Sequence, residues 1–514
     1  MTCKCSLLCL SIALAFIGAA FLVTGLVLWL DGIFQNIINK KVDESIMLKE
    51  GGLVFKQWQE PTSPILMQYF FFDLKNPQEV FEGKGKPFLS QKGPYSYREM
   101  RSNHIRNWTN GNTEVIFMPN RTYIFDPETS CEGCNDTLDT FTTVNIPLLA
   151  LAKWLKDTNY SNVHPICLTL LKGIIGGLKV KLFQNKTVHK MLWGYEDEML
   201  KLLKAFSNPL CPVKPGIDPF IQLQYNNTYF GISAINTGQK DIDKLEQYTM
   251  WRDANKLSWW MDNYTNMING TDGTQFKPRI SKDDKLYAFV PEICRSIYAV
   301  YDSTIKVRDI TLYRFTSPKE LYLSGDVYPL NKGFCVPPAC LPTGLLNVTL
   351  CQPQNPPIAI SPPHFYEGNV SLVEAVDGLD PKASEHATYI DIEPITGITM
   401  QANKRIQVNA HVMPFSKLPE TDSKMAPVFL PIMYVNESAK ISEHDAADFR
   451  KQVYDKIELT KGIEFGCIAL GAVLIAASVI VFIFHARRKG WIFNNNKDEK
   501  LLNEPPRTYG NIET

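Results

Sequence analysis

The distribution of apolar and polar positions divides the chain into two uninterrupted apolar runs and a long mixed region between them. Residues 6–30, SLLCLSIALAFIGAAFLVTGLVLWL, carry no charge, and neither do residues 465–484, FGCIALGAVLIAASVIVFIF. A helix rises about 1.5 Å per residue, so each run can cross a hydrocarbon layer of about 30 Å. The first is too long for the apolar core of a cleaved signal, and it runs to Trp29 and Asp31 without a small-x-small exit. Both are therefore read as uncleaved membrane anchors. Just beyond the first, Phe34, Ile38, Val42 and Ile46 recur every four residues, which predicts an amphipathic helix. A matching pattern precedes the second, where Ser442 can cap a helix with Phe449, Val453 and Ile457 on one face.

Between the anchors the texture changes twice. Residues 52–140 hold short apolar and aromatic runs broken by Pro, Gly and Asn, such as ILMQYFFFDL and NRTYIFDP, which reads as strands and turns. Residues 144–206 switch to helical period in VNIPLLALAKWLK, CLTLLKGIIGGLKVKLF and GYEDEMLKLLKAF. Strand texture returns over 219–435, in FIQLQYNN, KLYAFV, RIQVNAHV and APVFLPIMYV. Strands at both ends with helices inserted between them predict one α+β domain rather than a string of modules.

Charge and glycosylation signals orient this layout. The basic cluster His485, Arg487, Arg488 and Lys489 follows the second anchor and belongs in the cytosol. Two spans then place both termini there. The expected order is a cytosolic N-terminus (1–5), a first span (6–30), an extracellular or lumenal ectodomain (31–464), a second span (465–484) and a cytosolic tail (485–514). All eleven Asn-x-Ser/Thr sequons fall between the spans: Asn107, Asn120, Asn135, Asn159, Asn185, Asn226, Asn263, Asn269, Asn347, Asn369 and Asn436. Cys3 and Cys5, with Cys9, sit at the cytosolic edge as candidate S-acylation sites. Cys131, Cys134, Cys167, Cys211, Cys294, Cys335, Cys340 and Cys351 make an even set in an oxidising compartment, where disulfides are expected.

Candidate chemistry is sparse. Nucleophile elbows, zinc-binding His pairs, phosphate loops and dinucleotide fingerprints are all missing from the sequence. The chain is therefore read as a non-enzyme without cofactor or metal. Cys131-Glu132-Gly133-Cys134 lies in a loop beside a sequon rather than at a helix start, so a structural disulfide is the preferred reading over a redox pair. A net charge of zero argues against nucleic acid as a partner. Residues 150–205 carry nine lysines against four acids, a local positive surplus suited to anionic lipid or an acidic surface; a plain solvated helix face reads equally well. In the polar tail, Asp498-x-x-Leu501-Leu502 and Tyr509-x-x-Ile512 match the two sorting-motif forms read by cytosolic adaptors. Together they point to endosomal and lysosomal membranes, with the plasma membrane as the alternative.

Seven blocks, in order, carry a family resemblance: YFFFDLKNP (69–77), GPYSYRE (93–99), LWGYEDEML (192–200), NMINGTDG (266–273), ICRSIYAV (293–300), GFCVPPACLPTGLLNVTLC (333–351) and PHFYEGN (363–369). With the two anchors they resemble the class B scavenger receptor family, nearest in wording to its lysosomal member. The resemblance implies an antiparallel β-barrel ectodomain with a helical apex at about 144–206, and a lipid tunnel leading to the membrane. It also implies the disulfides Cys294–Cys351 and Cys335–Cys340. A further bridge found in the fatty-acid translocase falls here on Thr265 and Gly333, so both of its partners are missing together. Cys131, Cys134, Cys167 and Cys211 have no placed counterpart and can pair in three ways. Lys179 and Lys181 lie near a lysine the translocase uses for fatty acids, and His164 lies one residue from the position of an apex histidine that holds a lysosomal hydrolase. The function so implied is transfer of fatty acid, cholesterol or phospholipid, in endosomes and lysosomes. Cell-surface lipoprotein uptake and hydrolase sorting are the alternatives within the family. Such transfer needs no catalytic group: each exposed CH₂ costs about 0.8 kcal/mol in water, and a covered apolar conduit removes that barrier. A two-pass ligand-gated channel shares the topology, but the spans offer only Ser6, Ser11, Thr24 and Ser478 as polar lining.

Overall fold

The computed structural model describes residues 7–61, 65–158, 163–206, 211, 218–336, 339–353, 355–418 and 420–489. They fall into two compact units, residues 42–443 and a unit of the two chain ends.

The end unit is a pair of helices, Leu7–Leu30 and Tyr454–Arg488. The second is longer than the apolar run expected at 465–484 and ends on His485, Arg487 and Arg488. In hydrocarbon, helices associate through close van der Waals contact and shared hydrogen bonds, which favours small residues between them. Ser11 Oγ donates to the Ser478 carbonyl (3.1 Å), and Ser478 Oγ donates back to the Ser11 carbonyl (2.7 Å). A Cβ on Gly471 would lie 2.5 Å from the Leu22 nitrogen, and one on Gly18 would lie 3.0 Å from the Gly471 oxygen. Gly471→Leu is accordingly expected to separate the pair. In a Ser11→Cys/Ser478→Cys background, oxidative crosslinking should be efficient, and it should fall at least about fivefold when Leu replaces Gly471.

The amphipathic helices flanking the anchors form as expected. The first spans Ile33–Ile46, with Val42 and Ile46 buried. The second, Glu443–Gln452, starts directly after Ser442 and is linked through Val453 to the following helix by hydrogen bonds on either side (Val453 N–H to Phe449 O, 2.9 Å; Ile457 N–H to Val453 O, 3.1 Å).

Residues 42–443 are organised by one antiparallel sheet. Across it the strands run Tyr248–Met250, Ser233–Asn236, Glu114–Phe125, Leu89–Thr109, Ile65–Leu74, Val428–Lys440, Thr399–Val412, Tyr389–Ile392, Ile310–Thr316, Arg295–Val307 and Leu286–Val290. The 52–140 and 219–435 regions thus contribute the strands that their texture predicted, and the curled sheet agrees with the barrel that the resemblance implied. The NMINGTDG block joins the two edges. Tyr248 N–H donates to the Gly270 carbonyl (2.9 Å), Thr271 N–H to the Tyr287 carbonyl (3.2 Å), and Phe289 N–H to the Thr271 carbonyl (2.8 Å). GPYSYRE has a separate task. The register between Ile65–Leu74 and Leu89–Thr109 shifts between Tyr69 and Phe71, and Gly93, at φ +119°, meets that shift where a Cβ would lie 2.6 Å from the Tyr69 oxygen.

The helical insertion contains Ile146–Asp157, Pro165–Gly177, Val188–Trp193 and Glu198–Ala205. Asn145, Thr187 and Asp197 cap three of these helices by accepting from Leu148, Lys190 and Leu200 N–H. Leu148, Leu155, Leu171, Ile175, Leu200 and Leu203 are buried together in its core. The helical reading of KVKLF was wrong: Lys179 turns left-handed (φ +51°) after Gly176-Gly177, and Phe183–Thr187 is a strand paired with Thr140–Val144. The pairing of that edge overrides the Leu/Lys pattern. A helix at Leu53–Gln59 was not expected from the texture of its region.

Among the described residues four disulfides are present: Cys131–Cys134, Cys167–Cys211, Cys294–Cys351 and Cys335–Cys340. Thr265 and Gly333 are neighbours, for a Cβ on Gly333 would lie 2.6 Å from Thr265 Cγ2.

Candidate functional site in the barrel interior

Side chains alternate across a strand, so Tyr97, Glu99 and Arg101 point to one face of Leu89–Thr109. The register sets Arg101 opposite Arg121, and Glu437 opposite both Met67 and Lys404. Glu292, just after the far edge strand Leu286–Val290, reaches both Arg121 and Lys404, which is possible only because the sheet curls round on itself.

These six residues form a closed ring of alternating charge. Glu99 Oε1 pairs with Arg101 Nε (2.5 Å), and Arg101 Nη2 pairs with Glu437. Glu437 Oε2 pairs with Lys404 Nζ (2.6 Å), and Lys404 with Glu292 Oε2 (3.4 Å). Glu292 Oε1 pairs with Arg121 Nη1 (3.4 Å), and Arg121 Nε returns to Glu99 Oε1 (3.6 Å). The Glu99 side chain has no exposed surface, whereas the side chains of Glu292, Lys404 and Arg121 keep 33%, 29% and 26% of theirs. The ring therefore borders a solvent-accessible space inside the sheet.

Burial opposes every charge in such a place, so the partners decide the ionisation states. Burial pushes the Glu437 carboxyl up, but Lys404, Arg101 and Arg121 outweigh it and hold the group well below the usual carboxylate range. The Glu292 carboxyl is lowered in the same way, burial being outweighed by Lys404 and Arg121. Lys404, Arg101 and Arg121 are raised against burial by the facing carboxylates. Each of these five groups is thus favoured in its charged form by its neighbours in the ring. Above Glu99, the Tyr69 hydroxyl is raised well beyond its ordinary value, first by burial and then by Tyr123 and Glu99. Tyr69 and Glu99 Oε2 are buried polar groups without a hydrogen-bond partner among the described residues, and so is Glu292 Oε2.

The lysine surplus expected on the helices is partly used up internally. Lys153 pairs with Asp157, Lys201 with Glu196 (3.1 Å), and Lys186 lies over the Tyr195 ring (3.7 Å). Lys172, Lys179, Lys181, Lys190 and Lys204 are exposed and make no ion pair among the described residues. His164 is exposed at the start of Pro165–Gly177, where its Nδ1 accepts from Ile166 N–H (3.2 Å). The lysines and His164 thus sit on the helical insertion, apart from the ring.

Among the sequons, Asn107, Asn135, Asn185, Asn226, Asn263 and Asn369 are exposed, while Asn269, Asn347 and Asn436 are half-buried. Asn120 is buried, and its Nδ2 donates to Asn227 Oδ1 (3.1 Å). Asn159, Cys3, Cys5 and the tail residues Asp498, Leu501, Leu502, Tyr509 and Ile512 lie outside the described residues.

The PHFYEGN block packs on the opposite face of the Ile65–Leu74 wall. His364 Nε2 bonds Gln91 Oε1 (2.8 Å), and its ring stacks on His386 at 4.3 Å. Nearer the insertion, His411 stacks on Phe429 at 4.1 Å, and burial followed by Lys156 lowers its imidazole to about 4. A folded value below the unfolded value of about 6.5 means the unfolded chain takes the proton first, so stability is lost as pH falls from about 6.5 towards 4. His411→Phe is expected to remove up to about 2 kcal/mol of the stability lost between pH 7 and pH 5. Thermal unfolding of the two proteins at both pH values checks this.

Sequence reasoning did not find the ring. Its members stand in stretches such as YREMR and NKR, where charged residues in alternation read as a solvent face.

Comparison with known proteins gives a consistent result. Residues 16–482 match the CD36 family. Human lysosome membrane protein 2 is 33% identical over 453 residues, covering 88% of this chain and 90% of its own. Scavenger receptor class B member 1 of Sus scrofa is 31% identical over 497 residues, covering 95% of this chain and 93% of its own. The mouse protein of the latter name is 29% identical over 471 residues, covering 91% and 89%.

Proposed function

The chain belongs to the CD36 family and is a membrane receptor of the class B scavenger type, and from that premise we propose that it transfers lipid through the interior of its ectodomain in endosomal and lysosomal membranes. The observation that carries this reading is the accessible space inside the curled sheet, bordered by the partly exposed side chains of Glu292, Lys404 and Arg121. Such a space shields an acyl chain or a sterol from water without chemistry, which suits a chain whose sequence holds no catalytic motif. The exposed lysines Lys179 and Lys181 suit first capture of anionic lipid on the helical insertion. In this reading residues 31–464 face the lumen, both termini face the cytosol, and adaptors read the tail.

The test combines transport and location. Cells making the full chain should transfer a fluorescent fatty acid or sterol out of endolysosomes faster than cells without it. Removal of residues 497–514 should move the protein to the surface. Equal transfer with and without the protein would overturn the lipid reading, and unchanged lysosomal residence of the truncated chain would overturn the location.

Hydrolase carriage is the second reading, favoured by His164 standing exposed at a helix start. Capture of a lysosomal hydrolase at pH 7 with release at pH 5, lost in His164→Ala, would support it.

A further inference from the structure

We propose that the end of the helix pair bearing Arg487 and Arg488 is a binding site for one anionic phospholipid of the membrane. Its acyl chain lies in a groove between the two helices and its phosphate lies on the two arginines. This rests on reading the helices as membrane spans, and it is independent of lipid transfer through the curled sheet.

The first argument is the groove. Leu7–Leu30 and Tyr454–Arg488 meet through Ser11 and Ser478. One turn beyond that contact, at Leu7 on one helix and at Val481 and Phe484 on the other, a groove of about 490 Å³ lies between them. Arg487 and Arg488 complete its lining. That volume is of the size of a small-ligand site. Val481, Phe484 and Arg488 stand at i, i+3 and i+7 and so share one face of their helix. Phe484 is 64% exposed and Leu7 36%, so both walls can be reached from surrounding hydrocarbon. Left empty, such a groove forfeits van der Waals contact along its walls, and a flexible acyl chain restores it. A further helix is the poorer occupant. Helices in membranes meet through small residues, and this groove presents Leu, Val and Phe.

The second argument is charge. Arg487 and Arg488 are exposed and form no ion pair among the described residues. The last acid before them on their helix is Glu464, 23 residues ahead of Arg487, and Leu7–Leu30 has no charged residue. The other titratable groups described at this end are exposed Lys489 and buried His485. A guanidinium is charged at any physiological pH, and its fork matches two oxygens of a phosphate. The carbonyls at a helix C-terminus carry negative partial charge, so the backbone repels a phosphate here and the side chains must supply the attraction. A zwitterionic head group brings a cation that meets no described acid, whereas an anionic head group brings none. Leu7, Phe484, Arg487 and Arg488 also lie outside residues 16–482, so the family match does not extend to the site.

The test uses the full-length protein in nanodiscs of phosphatidylcholine. Each holds a trace of phosphatidylglycerol or of phosphatidylcholine with a photoactivatable group on the acyl chain. Labelling within residues 481–488 should be about tenfold higher with the phosphatidylglycerol probe, the worth of two basic side chains at a membrane surface. Arg487→Gln with Arg488→Gln should bring the two probes within about twofold, while the Ser11→Cys/Ser478→Cys crosslink shows that the helix pair is intact. Equal labelling of wild type by the two probes, or a preference kept in the double variant, would overturn the site. The wild-type comparison needs no variant, so it decides the matter even if the double variant fails to insert. Removal of residues 497–514 should leave the labelling unchanged; a severalfold rise with both probes would make the chain's own tail the occupant and overturn the lipid. Inorganic phosphate replacing chloride at equal ionic strength should leave the preference standing, and its loss would assign the arginines to free phosphate instead. Protein that does not stay in the nanodisc would overturn the spans and the site with them.

Discussion

Gly270→Ala is expected to prevent residues 42–443 from reaching their native fold, whereas Gly273→Ala, three residues on, should fold. Both glycines have left-handed backbones, with φ +94° and +91°. Each substitution therefore carries a conformational cost of about 1–3 kcal/mol. They differ in their surroundings. A Cβ on Gly270 would stand 2.2 Å from both the carbonyl carbon and the oxygen of Tyr287, while one on Gly273 would meet nothing within 4 Å. Backbone cannot yield as a flexible side chain does, and here it is the backbone of the seam. Relieving the contact must pull apart the bonds from Tyr248 to Gly270 and between Thr271 and the Leu286–Val290 strand, the connection between the two edges of the sheet. An unjoined edge exposes unpaired N–H and C=O groups and invites aggregation. The expected total is above about 4 kcal/mol for Gly270→Ala, enough to unfold a marginally stable domain. Yield of monodisperse protein and the thermal midpoint distinguish the two variants, and equal behaviour would show that the seam does not hold the sheet closed.

Breaking the charge ring has the next largest expected effect. Glu437 faces Arg101 and Lys404, and Glu437→Gln leaves both cations short of an anion in a place where burial already opposes them. Removing one member of such a buried set typically costs about 3–5 kcal/mol, while replacing a pair together with apolar residues is often nearly neutral. Glu437→Gln should therefore be severely destabilised, and Glu437→Met with Lys404→Met should recover most of the loss. The pH dependence follows from the sign of the shift. The folded carboxyl lies below its unfolded value of about 4.3, so its contribution is fully present above that value and is lost only as pH falls through the folded value. The gap between wild type and Glu437→Gln should hence be the same at pH 7 and pH 5 and should close only in stronger acid. A gap that halved by pH 5 would mean that the ring loosens in mild acid. Chemical denaturation at the two pH values measures it.

How much of this was legible beforehand depended on the range of the interaction involved. The anchors at 6–30 and 465–484, the flanking helix with Val42 and Ile46 inward, and the strand, helix and strand texture all follow from local period and composition. The open pairing of Cys131, Cys134, Cys167 and Cys211 could not be read, because it depends on Cα separations, here 5.3 Å and 4.8 Å for the two bonds formed. KVKLF was misread because its Leu/Lys spacing fits a helix, while the partner that draws Phe183–Thr187 into a strand lies some 40 residues earlier, at Thr140–Val144. The resemblance blocks contain the seam glycine Gly270 and the histidine His364 of PHFYEGN, but a resemblance gives neither a physical task.

What the sequence by itself determined is what periodicity and short motifs encode: two apolar helices long enough to cross a membrane, an α+β domain between them, and its family. What only the tertiary structure decided is the closing of the sheet at Gly270–Thr271 and, with it, the ring. Glu99 and Glu437 are 338 residues apart in sequence, and each looks solvent-facing in its own strand. They share Arg101 because a register fixed by dozens of backbone hydrogen bonds turns one face of every strand inward. A charge pattern reports that a residue is polar, but whether that polarity meets solvent or the inside of a barrel is a property of the closed sheet.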